Sequence, residues 1–363
     1  MSAPLPINIY TNDPLRSAYD ICLWLEFQNI WGIQYYCSYG LLHAPSDKGR
    51  LRLAHEISGC NRDLDVLAGL VHLYVLGLIR VFRNPTGPTP AISTSQSPGN
   101  IPQQQRQNLV SFLTELKANP SMLKAILLNR DNYSCVFTGD VNAESWKDKL
   151  IQKPPNARSG QIDTAHIISQ PLVSNIQEGM PDVPPTRKCE WATTATAMIG
   201  TFGDFDCESL LGEQLLNNPV NMFLATPQAH YYFDRLEVYL TPALDQEGDA
   251  QANAYDLRTF PDPKAPDFFR PQVSFSPLQL PMEDGKIYTI SPPDSHILAV
   301  HAACANIAHF SGVSDIFDEL YRRDIDYVPL TVSSQDMVVN EAGFEELTRA
   351  LYQAQWSGYE LMT

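Results

Sequence analysis

Ile162-Asp163-Thr164-Ala165-His166-Ile167-Ile168, followed fifty-odd residues later by Asn221-Met222-Phe223-Leu224-Ala225-Thr226-Pro227-Gln228-Ala229-His230-Tyr231-Tyr232-Phe233-Asp234, decides how this chain is read. The first run is rich in β-branched and apolar residues, so it predicts a strand that ends by presenting His166. In the second run Thr226 is a good N-cap and Pro227 fits the first helical position, which puts His230 in the opening turns of a helix. Strand, loop and helix then bring two imidazoles and one amide toward each other.

Upstream lies a third piece, Arg130-Asp131-Asn132-Tyr133-Ser134-Cys135-Val136-Phe137-Thr138-Gly139, a Cys-x-x-Thr-Gly turn. Its order relative to the Ala-His-Ile-Ile strand, and an Asn221 nine positions before His230 with Phe-Asp soon after, make the three pieces together resemble the HNH nuclease family in its fungal form. Three ordered motifs are more specific than one. The resemblance implies an α+β fold with a ββα-metal core, helices around it, and an additional N-terminal region. It also implies roles: His166 as general base, Asn221 as the residue that orients it through the backbone, and His230 as ligand to a divalent metal. A neutral imidazole accepts a proton near its working pKa, and a metal stabilises charge building on a phosphoryl oxygen.

Two features point away from phosphodiester hydrolysis. Many members of the family carry Asp just before the strand His, as a second metal ligand, where this chain has Ala165. The nearest carboxylate, Asp163, is expected on the opposite strand face from His166. That leaves no carboxylate beside the site, a poor arrangement for a hard, oxygen-seeking ion. The second feature is charge: 25 Lys and Arg against 41 Asp and Glu, a net charge of −16. Residues 105–240 alone hold 11 basic and 15 acidic side chains. Affinity for nucleic acid comes largely from basic side chains neutralising phosphates, so nucleic acid is disfavoured as a partner.

Four regions are expected: an aromatic-rich N-terminal region over 1–83, a linker or loop over 84–108, an HNH-like module over 109–241 carrying an insertion at 171–217, and an acidic loop with C-terminal helices over 242–363. The composition is that of an ordinary globular chain, 44% hydrophobic and 18% charged. In the first region Ser17 to Phe27 predicts an amphipathic helix and Ile30 to Leu42 reads as a strand, the aromatic residues forming core in preference to a pocket wall. Arg62 to Phe82 reads as a buried helix too short and too interrupted to span a membrane, with His72 a core residue. Pro, Gly, Ser, Thr and Gln over 84–108 cannot build a core. Leu109 to Leu128 has helical spacing, broken at Asn119-Pro120.

The insertion is longer than a minimal unit needs and is expected at the mouth of the site. It contains a loop near Met180 to Pro185 and helices near Glu190 to Ile199 and Cys207 to Leu216. Leu236 to Leu240 reads as a strand, and Asp245 to Pro266 as an acidic loop. His296 to Gly312 reads as a helix capped by Asp294 or Ser295, resembling a C-terminal helix of the fungal family members, with His301 and His309 as packing residues. Helices near Ser314 to Arg323 and Asn340 to Trp356 follow. Seven dispersed cysteines and no visible targeting segment lead us to expect free thiols in a reducing, intracellular, cytoplasmic setting, with Cys135 packed in its turn.

The reading these features favour is a kept HNH scaffold with changed chemistry: a fungal biosynthetic enzyme of secondary metabolism, a cyclase or isomerase acting on a small apolar molecule without a metal cofactor. Folds outlive their first activity. His166, Asn221 and His230 would then supply hydrogen-bond donors to a polarised carbonyl, or a cavity elsewhere, lined by the N-terminal aromatics, would hold the substrate. The alternative is a divalent-metal-dependent endonuclease. A protein-binding adaptor has only the acidity in its favour.

Overall fold

A computed structural model of the chain describes residues 5–28, 31–83, 119–155, 157–168, 187–206, 218–260, 268–282 and 285–322. They fall into two compact units: Met1–Gly87 with Pro171–Leu210 and Ala299–Thr363, and Pro88–Gln170 with Leu211–Leu298. Described elements of the first are helical, while all the described strands lie in the second, so the chain is a mixed helix-and-sheet protein of α+β type.

In the helical unit, Leu15–Phe27, Trp31–His43, Asp47–Gly59 and Leu64–Tyr74 pack on one another. Ser46 caps the third of these by accepting the Gly49 N–H, and Asp63 caps the fourth by accepting from Asp65 and Val66. The helix Arg187–Gly203, from the inserted stretch, packs on Asp47–Gly59 and on the π-helical turn Val75–Ile79. The first contact is backbone-close: a Cβ at Gly49 would fall 2.0 Å from the Phe202 carbonyl oxygen, so only glycine fits. The 19-residue stretch Leu64–Phe82 is apolar and long enough to cross a membrane by composition, yet 61% of it is buried inside the protein. His72 lies in that interior, its pKa lowered by burial despite a bond to the Ala68 backbone.

Within the stretch Ile30 to Leu42 expected as a strand, the described residues from Trp31 onward are helical instead. Trp31–His43 is a helix with apolar residues on every side, and Ile33, Tyr36, Cys37 and Leu41 are all buried. β-propensity of aromatic and β-branched residues describes a fit to a half-buried pleated surface, and burial among neighbouring helices overrides it here.

In the strand-bearing unit, β1 (Val141–Asn142) pairs in parallel with β2 (Ser159–Gly160), and β3 (Asp163–His166) runs antiparallel to β4 (Met222–Ala225). β5 (Val238–Leu244), β6 (Ala250–Thr259) and β7 (Gln272–Ser274) form an antiparallel sheet, and β8 (Leu278–Pro281) pairs with β9 (Ile287–Ile290). Of the acidic stretch expected as a loop from Asp245 to Pro266, Ala250–Thr259 is β6, and 261–266 fall outside the described residues. Asp245–Asp249 turns, with the Asp245 carboxylate accepting from the Glu247 and Asp249 N–H groups and Gly248 at φ +89°. Asp256 sits half-buried in β6 beside buried Tyr255, which shows that charge density by itself does not forbid a sheet with one wet face.

Phe137, Phe223 and Phe233 form the unit's aromatic centre, with ring centroids 5.0–5.6 Å apart and two of the three contacts edge-to-face. They tie together the Cys-x-x-Thr-Gly turn, β4 and the helix Pro227–Asp234. The helix Ser295–Phe310 begins at Asp294, whose carboxylate accepts from His296 and Ile297, and Gly312 beyond its end has φ +78°, as its sequence signals predict. Expectations for 84–108, 109–118, Met180 to Pro185, Cys207 to Leu216 and Asn340 to Trp356 fall outside the described residues.

Candidate active site

Three cooperating pieces of backbone build the site. In the turn, the Gly139 N–H donates to the Cys135 carbonyl (2.9 Å) and the Val136 N–H to the Leu224 carbonyl (3.0 Å), joining turn to β4. Cys135 is buried there as a free thiol. β4 then passes into Thr226, whose hydroxyl accepts the Ala229 N–H, and Pro227 opens the helix that carries His230. β3, β4 and this helix follow one another in the order strand, strand, helix.

Asn221 sits just before β4 and is fully buried. Its side chain accepts from the Ile168 N–H (2.8 Å) and donates to the Ile168 carbonyl (3.1 Å), while its own carbonyl accepts the Ile167 N–H (2.9 Å). The amide thus fixes the backbone directly after His166. His166 ends β3 opposite Met222, half-buried, with Nε2 shielded from solvent.

A buried ion pair braces the same backbone. Arg130 has no exposed side-chain surface; it donates to the Pro219 and Met222 carbonyls (2.7 Å each) and to Asp131. Asp131 in turn accepts the Leu224 N–H at 2.9 Å. A desolvated pair of this kind survives where its donors and acceptors are matched.

His230 is mostly buried, and its Nε2 lies 3.3 Å from the Asp234 carboxylate one helical turn on. Burial opposes the charged ring, but the hydrogen bond to Asp234 and the charges of Asp234 and Asp163 outweigh it, so the His230 pKa is raised. The expectation of no carboxylate beside the site therefore needs correcting for His230. Alternation along β3 sends Asp163 to the face opposite His166, and the Asp163 charge nonetheless contributes to raising the His230 pKa. The four-residue spacing of His230 and Asp234 on one helix was the available signal. No such signal marked Lys124, whose ammonium lies 3.3 Å from Asp163 Oδ1 while Gln161 donates to Oδ2 at 2.7 Å.

The residues present do not fit the divalent metal that the HNH resemblance implies. His230 Nε2 is taken by Asp234, both Asp163 oxygens are held by Lys124 and Gln161, and Ala165 offers no donor. Among the described residues no three His, Cys, Asp or Glu side chains gather as a metal site. What the structure brings together is Asn221 with the backbone after His166, and His230 with two carboxylates.

Fold and site together define a mixed helix-and-sheet protein of α+β type in which a strand-strand-helix arrangement carries His166, Asn221 and His230. No protein-family model, curated protein or solved structure matches the chain.

Proposed function

We propose that β3, β4 and the Pro227–Asp234 helix are an HNH-like ββα scaffold whose chemistry has changed, and that the protein catalyses proton transfer on a small, largely apolar molecule in a cyclisation or isomerisation. One observation carries this reading: the groups a metal would need are hydrogen-bonded to one another, His230 to Asp234 and Asp163 to Lys124 and Gln161. An imidazole kept protonated by a neighbouring carboxylate is a general acid near neutral pH. His230 donates the proton, Asp234 orients its ring, Asn221 positions the strand end, and His166 serves as the second imidazole. The net charge of −16 agrees with an uncharged substrate better than with a polyanion.

Metal-dependent phosphodiester hydrolysis is the second reading, favoured by the Asn221 clamp on Ile167 and Ile168, which is what that chemistry asks of this residue. Calorimetric titration of the purified protein with Mg²⁺, Mn²⁺, Ni²⁺ and Zn²⁺, with His230→Ala as control, separates the two. We expect no stoichiometric binding at millimolar metal. One equivalent bound by the native protein and lost in the variant, together with metal-dependent DNA cleavage, would overturn the acid-base reading.

A further inference from the structure

A cleft of about 1040 Å³ opens in the strand-bearing unit beside the Cys135–Gly139 turn, at the upper end of the range for small-molecule sites. His166, Asn221 and His230 do not line it, so a ligand held there is independent of the acid-base reading. The charged residues around it are Arg130, Asp131, Asp140, Arg158 and Arg270. Four of these are mutually satisfied: Arg130 with Asp131, and Arg158 with Asp140 at 3.1 Å. Arg270 differs, because its guanidinium makes no hydrogen bond or ion pair among the described residues.

The position of Arg270 is built into the backbone. Its N–H donates to the Phe137 carbonyl (2.8 Å), and its guanidinium lies against Gly139 so closely that a Cβ there would fall 1.8 Å from Nη2. Gly139 also has φ +74°, so the turn itself requires glycine. A planar five-donor cation thus lies over a roomy cleft with its donors unspent among the described residues, while Phe268 and Phe275 offer apolar wall and Ser274 and Ser276 offer hydroxyls.

We propose that this cleft binds a small organic monocarboxylate, with Arg270 forming the two-pronged contact to the carboxylate and the organic body lying along the Phe268 and Phe275 wall. One uncommitted positive charge matches one negative charge. A dianionic phosphate ester would leave one charge unmatched beside Asp131 and Asp140.

The test is calorimetry or NMR titration with three probes of similar size: 4-phenylbutyrate, its neutral amide, and phenyl phosphate. The carboxylate binds, in the expected outcome, and the amide does not. Arg270→Gln weakens carboxylate binding by about tenfold or more and Arg270→Lys by less, since a point charge keeps attraction but loses the fork. Arg270 is solvent-exposed, so both variants should fold, and circular dichroism with a urea midpoint checks that they do. Equal binding of acid and amide, binding indifferent to Arg270→Gln, tighter binding of phenyl phosphate, or no carboxylate binding at tens of millimolar would each overturn the proposal.

Discussion

Gln34 has no solvent exposure, and neither its amide oxygen nor its nitrogen has a partner among the described residues. A buried amide without hydrogen bonds costs about 1–3 kcal/mol. Gln34→Met keeps the length and removes the polar atoms, so it should raise the urea midpoint, by about 1 kcal/mol in stability. A destabilised variant would mean that the amide is satisfied after all. His230 gives a second prediction at this scale. Its folded pKa lies above the ordinary value of about 6.5, so its contribution to stability is fully present below that value and is lost as pH rises through the higher folded one. His72 and His43 run the other way, because burial lowers both: their contribution is present above about 6.5 and fades as pH falls through the folded values. Asp234→Asn therefore isolates the His230 part. Urea unfolding at pH 6 and at pH 8.5 should show the native protein losing more stability between those values than the variant does, and histidine NMR should show one imidazole pKa falling. Equal pH dependence in the two proteins would remove the Asp234 effect.

Between single residues and the whole chain stand the elements, and here the brackets around β4 matter most. Asn221→Ala strips the Ile168 N–H and carbonyl of their partner in a buried place, so unfolding stability should fall by about 2–4 kcal/mol. Arg130→Met should cost about 3–5 kcal/mol, because it leaves the Asp131 carboxylate buried and unpaired and frees the Pro219, Met222 and Ser291 carbonyls. A loss under 1 kcal/mol in chemical denaturation of either variant would show that the β4 entry does not depend on it. These elements also show why some of the fold is legible in the sequence. The Thr226–Pro227 start and the Asp294 to Gly312 helix can be read there because cap residues act on the backbone a few positions away. Trp31–His43 reads as a strand, and β6 as a loop, until the structure corrects both, because what settles them is burial against residues distant in sequence. The site is legible in the same measure. The Asn221 and His230 positions follow from local spacing, while Lys124 reaches Asp163 across thirty-nine residues and leaves no local trace.

At the scale of the molecule, charge decides what the protein is able to hold. The strand-bearing unit carries 13 Lys and Arg against 18 Asp and Glu, so the acidity is not confined to the helical unit. Several of its basic groups are already committed, Arg130 to Asp131, Arg158 to Asp140, Lys124 to Asp163 and Arg258 to Asp256, and cannot neutralise phosphates without leaving carboxylates bare. Binding to duplex DNA releases counterions in proportion to the phosphates neutralised, so a true binder loses affinity steeply as salt rises. This chain has little to offer that equilibrium. Fluorescence anisotropy with a labelled duplex, scanned from low to physiological salt, should show no salt-linked binding, with any dissociation constant at physiological salt weaker than about 100 μM. Tighter binding with a steep inverse salt dependence would mean that the acidic surface conceals a phosphate track, and the endonuclease reading would then displace the acid-base one.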